Sequence, residues 1–162
     1  MRKDLAIGRQ GEESFIKILN KGKVKAESNE EKKSRSYYDI KAEVGGQKFT
    51  VEVKNDLRAA ETGNVAIEVY NPRSKKDSGL SITRSDLWVH IVNNKYWVAK
   101  SKKLKSFVAK NPPLRIIPQG GDGNATLWLY KVETILPKIF HRIDHLTGKE
   151  AKDLITKLVL QG

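Results

Sequence analysis

The chain has no cysteine, so disulfides and thiolate chemistry are both excluded, and an intracellular setting is favoured. Histidines are scarce (His90, His141 and His145), and their spacing makes no zinc pattern. No stretch approaches the roughly 18 consecutive apolar residues of a membrane span, and no apolar segment of signal-peptide type follows Met1-Arg2-Lys3-Asp4. Acidic residues are the minority sign: 19 against 31 lysines and arginines, for a net charge of +12 over 162 residues. That excess predicts a polyanionic partner, with nucleic acid ahead of a membrane surface because no basic amphipathic tail is evident. It is concentrated between Lys95 and Arg115, where Lys95, Lys100, Lys102, Lys103, Lys105, Lys110 and Arg115 occur without a single acid. A surface built only for solubility mixes the two signs.

A chain of 162 residues is long enough for one domain with a sizeable core. The informative stretch is Tyr37 to Lys54. Two runs with strand alternation flank a Gly45-Gly46 turn signal, the first carrying Asp39 and the second Glu52-Val53-Lys54. Side chains alternate across a strand, so Glu52 and Lys54 share one face while Val51 and Val53 point to the other. Asp39 is out of phase with Ile40 and Ala42, and Tyr37 shares its face. If the strands pair, two acids and an ammonium gather on one side of a sheet. Any half-solvated sheet shows alternating charge, but this set also suits divalent-metal hydrolysis of a phosphodiester, which needs hard oxygen ligands and a nearby cation.

Upstream, residues 4–20 read as a helix with Leu5, Gly8, Glu12, Phe15, Ile16 and Leu19 on one stripe. Glu12 falls near the middle of that apolar stripe, where an uncompensated carboxylate is costly. It either reaches a metal or its water, or pairs with a basic side chain from the sheet. Downstream the pattern predicts a strand over Val65–Tyr70 bearing Glu68, and a short helix around 82–87 capped by Ser81, Thr83 or Ser85. A hairpin follows through Asn93-Asn94, then a basic helix over 102–110. Pro137 is expected early in a helix whose face continues through Ile135, Ile139 and Ile143. Thr147-Gly148-Lys149-Glu150 predicts a capping box on a last helix. The tryptophans Trp88, Trp97 and Trp128 lie in apolar runs and read as core.

Glu12 on a helix, Asp39 on a first strand and Glu52-Val53-Lys54 on a second resemble the PD-(D/E)XK nuclease superfamily. The segments Gly63–Glu68 and Ser78–Trp88 look like its small phage and intron-associated homing endonucleases; Holliday-junction resolvases share the plan. Tyr38 stands where the family has proline, a backbone feature that contributes no ligand group. The resemblance spans about residues 5–100. It implies a restriction-endonuclease-like α/β fold, an α+β mixed sheet with an αβββαβ core, as a single domain over 1–162 with 101–162 as family-variable additions. It further implies Mg²⁺ (or Mn²⁺) bound by Asp39, Glu52 and the Val53 carbonyl, with Glu12 on a metal water or a second ion. Lys54 would act on the attacking water and the phosphate, and the products would carry 5′-phosphates. Glu68 is a further candidate, equally readable as the partner of a lysine, and Tyr37 would border the site. Arg9, Lys32, Lys33, Arg35, Arg73, Lys75, Lys76, Lys102 and Lys103 are expected phosphate contacts on DNA. Such enzymes act as homodimers or higher assemblies, because one site cuts one strand. The expectation is a homing-type endonuclease in the cytoplasm. A junction resolvase is the alternative within the family, and a non-catalytic basic nucleic-acid-binding protein the alternative outside it.

Overall fold

The computed structural model describes residues 2–29, 38–121 and 123–161, and the side chains of 2–5 are outside that description. Among the expected site residues, Lys32, Lys33, Arg35 and Tyr37 lie outside the described residues. No helix is long and apolar enough to cross a membrane among those described.

The fold is a mixed α/β arrangement of two sheets. Helix α1 (Arg2–Lys21) precedes an antiparallel meander of β1 (Lys25–Ser28), β2 (Ile40–Val44) and β3 (Gln47–Asn55). Gly45 and Gly46, both at positive φ (54° and 77°), make the tight turn between β2 and β3. The chain then leaves the sheet through α2 (Ala59–Thr62) and forms β4 (Asn64–Asn71) and β5 (Lys76–Asp77). A single 3₁₀ turn, Gly79–Ser81, leads back to β6 (Leu87–Val92). β6 runs parallel to β3, with Glu52 opposite Trp88 and Lys54 opposite His90. β7 (Lys95–Lys100) completes the hairpin through Asn93 and Asn94, both left-handed (φ 50° and 61°).

The rest of the chain is woven into both sheets. After α3 (Ser101–Lys110), strands β8 (Arg115–Gly120) and β9 (Ala125–Lys131) join β4 in the second sheet, of order β5-β4-β9-β8. Helix α4 (Val132–Ile139), β10 (His141–Arg142) and α5 (Gly148–Leu160) follow, and β10 closes the first sheet, of order β1-β2-β3-β6-β7-β10. Residues 101–162 therefore supply parts of both cores.

The first sheet separates those cores. On one face Phe15 and Leu19 of α1 and Ala151 and Ile155 of α5 pack on Ile40, Val51, Val53, Val89 and Ile91. On the other, Trp88 and Val92 of β6 meet Val65 and Ile67 of β4, Leu104 and Phe107 of α3, and Ile135 and Ile139 of α4. All six residues of β6 are buried because it is covered on both faces.

Three local expectations need correction. The predicted helix at 82–87 does not form. The buried Thr83 and Ser85 hydroxyls bond each other (2.9 Å), and Ser85 bonds Ser101 at the start of α3 (2.8 Å), so these side chains tie an extended segment down instead of capping a helix. Pro137 is well inside α4 and not near its start; its missing donor leaves the Glu133 carbonyl without a helical bond, and the helix ends two residues later. The stripe Ile135–Ile139–Ile143 is consequently broken: Ile135 and Ile139 join the second core, and Ile143 enters the first across β10. The capping box on α5 forms as expected, with Thr147 Oγ1 accepting from the Glu150 N–H at 3.2 Å.

Candidate active site

The site forms where β2 and β3 part. Their register runs from Val44–Gln47 to Ile40–Val51 and stops, while β3 continues to Asn55 with β6 as its neighbour on the other side. Asp39, the residue just before β2, is pinned from both flanks: its N–H donates to the Val51 carbonyl (2.9 Å), and its carbonyl accepts from the Asn29 N–H (2.8 Å). Its side chain takes over where the ladder ends, Oδ2 accepting the Val53 N–H at 2.8 Å. In a strand the N–H and C=O of one residue point to the same edge, so the Val53 carbonyl also faces this open edge. One carboxylate and one backbone carbonyl thus meet at this edge, and the carboxylates of Asp39 and Glu52 both act on Lys54. Buried Asn29 was missed by sequence reasoning. Its side-chain amide also holds the Tyr38 carbonyl at 3.3 Å, and nothing distinguishes it from the polar loop that follows it in sequence.

The pleat behaves as the alternation requires. Val51 and Val53 are buried in the first core, and Glu52 and Lys54, half-buried, project to the opposite face. Burial alone pulls the Lys54 ammonium down, but the carboxylates of Glu52, Glu68, Asp39 and Glu12 outweigh it, and the lysine is held above its ordinary value. Those four acids come from β3, β4, the approach to β2 and α1, so Lys54 is the common neighbour of four separate segments.

Each acid arrives by a different route. Glu12 is buried (7% exposed) in the middle of the apolar face of α1, as its helical phase predicts. A methyl group at the adjacent Gly11 would lie 3.0 Å from Ile91 Cδ1 and 3.5 Å from Asn55 Cβ, so the helix touches the ends of β3 and β6 there. Glu68 comes from the second sheet, at a register shift in the β4–β9 pair. Its backbone is pressed by Gly79 (φ 55°): a Cβ at Gly79 would lie 2.3 Å from the Glu68 carbonyl oxygen, a contact only glycine permits. Glu68 is therefore a neighbour of the lysine and no isolated strand acid.

A different polar group lies behind the lysine. The Lys54 Nζ is 5.9 Å from the centroid of the Trp88 ring. The Trp88 indole N–H donates to His90 Nδ1 (3.3 Å), and His90 Nε2 bonds Asp56 Oδ2 (2.8 Å). Burial pushes the Asp56 carboxyl up, but His90 and the Ala66 and Ala59 N–H groups pull harder and hold it below the usual carboxylate range.

The expected phosphate contacts among the described residues are exposed. Arg9 is exposed on α1, Arg73, Lys75 and Lys76 at the β4–β5 turn and strand, and Lys102 and Lys103 on α3; none of them is among the groups that perturb Lys54.

Among the described residues, no three histidine or carboxylate side chains are grouped so as to hold a metal ion by themselves. By donor type alone, Asp39, Glu52 and the Val53 carbonyl are what a small hard cation takes. Mg²⁺ is commonly held by one or two carboxylates, with water and substrate oxygens completing its shell, and Asp39, Glu52 and the Val53 carbonyl are all oxygen donors.

No family model matches the chain, and no curated protein does. Among solved structures, one described as a bacterial homing endonuclease is 18% identical, over 59% of this chain and 67% of that chain, with a TM-score of 0.46. The likeness is partial, and the site's chemistry has to stand on its own geometry.

Proposed function

We propose that the protein is a metal-dependent DNA endonuclease of PD-(D/E)XK type. What supports this reading is the Asp39 carboxylate bonded to the Val53 N–H where β2 and β3 part, together with the Lys54 ammonium on which Glu52, Glu68, Asp39 and Glu12 all act. Asp39, Glu52 and the Val53 carbonyl would hold Mg²⁺, or Mn²⁺ in its stead. The bound ion supplies a water of lowered pKa and a counter-charge for the phosphate.

The chain's own residues do the rest. Lys54, kept as an ammonium by its acidic surroundings, orients the attacking water and donates to a phosphate oxygen, where it offsets charge that grows in the transition state. Glu12 accepts from the water on its far side, and Glu68 holds the ammonium in line. Attack on phosphorus with departure of the 3′ oxygen leaves a 5′-phosphate and a 3′-hydroxyl. The excess of 31 basic over 19 acidic residues fits a polyanionic substrate. Cutting both strands takes two such sites, hence a homodimer. Within the class the reading is site-specific double-strand cleavage of the homing type, supported by the look of Gly63–Glu68 and Ser78–Trp88, in an intracellular setting.

The test is incubation of wild type and Lys54→Ala with linear duplex, nicked and four-way DNA, in Mg²⁺ or EDTA. Cleavage of duplex by wild type in Mg²⁺ alone is the expected outcome. Preferential cutting of the four-way junction would select a resolvase. Salt-sensitive binding with no cleavage of any substrate would leave a basic nucleic-acid-binding protein and end the nuclease reading.

A further inference from the structure

We propose that Trp88 is a positioning residue for Lys54, and that the buried His90–Asp56 pair exists to hold its ring in place. The inference rests on Lys54 being the lysine of the site.

The geometry begins with the pleat. Glu52 and Lys54 of β3 lie opposite Trp88 and His90 of β6, and all four project to the same face. The Lys54 ammonium is 5.9 Å from the Trp88 ring centroid, within the range where the negative face of an indole attracts a cation. A lysine among four carboxylates has several competing partners. Carboxylates alone let a flexible ammonium move from one to the next; a fixed aromatic face behind it removes some of those positions.

The ring is fixed in an unusual way. Trp88 and His90 are both fully buried, and a buried indole N–H requires an acceptor. It finds one in His90 Nδ1, which must then carry no proton. The imidazole proton is therefore on Nε2, where it donates to Asp56 Oδ2. The same Asp56 oxygen accepts the Ala66 N–H of β4 at 2.9 Å, and the Asp56 N–H donates to the Ile91 carbonyl at 2.9 Å. Orientation thus passes from both sheets through Asp56 and His90 to the indole, and from the indole to the ammonium. A structure needing only apolar filling at 88 and 90 has no use for this sequence of donors and acceptors.

Two measurements test the proposal. In ¹³C-lysine-labelled protein, the Lys54 ε-methylene resonance reports the nearby indole through its ring current. Trp88→Leu and His90→Leu should both move it. His90→Gln, whose oxygen can accept from the indole and whose amide nitrogen can donate to Asp56, should bring it back toward wild type. Trp88→Phe keeps a ring face without the N–H and is the variant to use if Trp88→Leu does not fold. In DNA cleavage, Trp88→Phe and His90→Leu should each lower kcat about tenfold with KM unchanged. The same changes made on Lys54→Ala should cost nothing further. An unmoved Lys54 resonance, or losses that add fully to that of Lys54→Ala, would overturn the proposal and leave the trio as a tie between the sheets. A wild type that cuts no DNA would overturn the nuclease reading instead, while the resonance still decides whether Trp88 fixes the ammonium.

Discussion

The two faces of the first sheet use the same strands for opposite ends. On the face covered by α1 and α5, residues such as Val51, Val53, Val89 and Ile91 meet Phe15 and Ile155, and among the described residues Glu12 of α1 is the buried acid on that side. On the other face, those strands present Glu52, Lys54, Trp88 and His90, and acids arrive from three further segments. One face is held by apolar area removed from water alone; the other has an apolar core of its own and, beside it, charges that act on one another as a set. Loss of one member should therefore act differently on each face. On the apolar face it should cost stability and leave chemistry intact; on the charged face it should cost chemistry first.

The largest expected effect tests the charged face. Lys54→Ala or Asp39→Ala should lower Mg²⁺-dependent cleavage by about 100- to 1000-fold, the usual consequence of removing a group that offsets transition-state charge. DNA binding should persist, since neither residue is needed to attract a polyanion. Single-turnover cleavage and a filter or anisotropy binding assay on the same preparations separate the two. Loss of binding in parallel with cleavage would merge the faces into one general scaffold.

The apolar face is tested by Ile155→Ala. Ile155 is fully buried between α5 and the sheet, so the substitution should cost about 2–5 kcal/mol in denaturant unfolding, through lost transfer energy and the cavity left behind. Cleavage per folded molecule should be unchanged. A fall in kcat at full occupancy of the folded state would mean that the helical layer reaches the site, by way of Glu12, more than the packing implies.

How much of this was legible beforehand follows the same division. The period-two alternation of Glu52-Val53-Lys54 and the helical phase of Glu12 indicated on which side of their elements these residues lie, because a pleat and a helix turn fix direction from spacing alone. The hairpin at Asn93-Asn94 and the capping box at Thr147 were legible for the same reason. What stayed hidden depends on long-range pairing. Nothing near Glu68 says that β4 leaves for a second sheet and returns its carboxylate to Lys54. Asp56 and His90 are separated by a whole excursion of the chain, and each alone reads as an ordinary polar residue. Thr83 and Ser85 carried a genuine capping signal, but tertiary bonding to Ser101 overrode it.

A carboxylate that is not among the groups acting on Lys54 sharpens the contrast. Asp144 accepts the Tyr96 N–H at 2.7 Å and a forked contact from Arg142, with distances of 3.0–3.3 Å, and so ties β7 to the segment after β10. Burial raises its carboxyl, but Arg142 and the Tyr96 N–H more than offset this, leaving it below the usual range. Because the folded value is the lower one, the stabilisation is complete above the ordinary aspartate value of about 3.9. It is lost as pH falls through the folded value. Asp144→Asn should therefore lower stability by about 1 kcal/mol at neutral pH, given its partial exposure, and flatten the acid limb of the stability profile. Its cleavage rate should match wild type; a slower rate would place the distant edge of the sheet in the same cooperative unit as the site.

The smallest expected effect concerns the exposed lysines on α3. Lys102 and Lys103 belong to a block of one sign, and both are exposed on α3; on the proposed function their expected role is to hold DNA. If each neutralises a phosphate, replacing one by alanine should reduce the slope of log affinity against log salt by about 0.9. The loss should be the same for every DNA sequence, because a phosphate contact carries no base information. kcat should not change. A change in slope without a change in kcat would assign α3 to substrate attachment, and no change in slope would make the block a solvated surface.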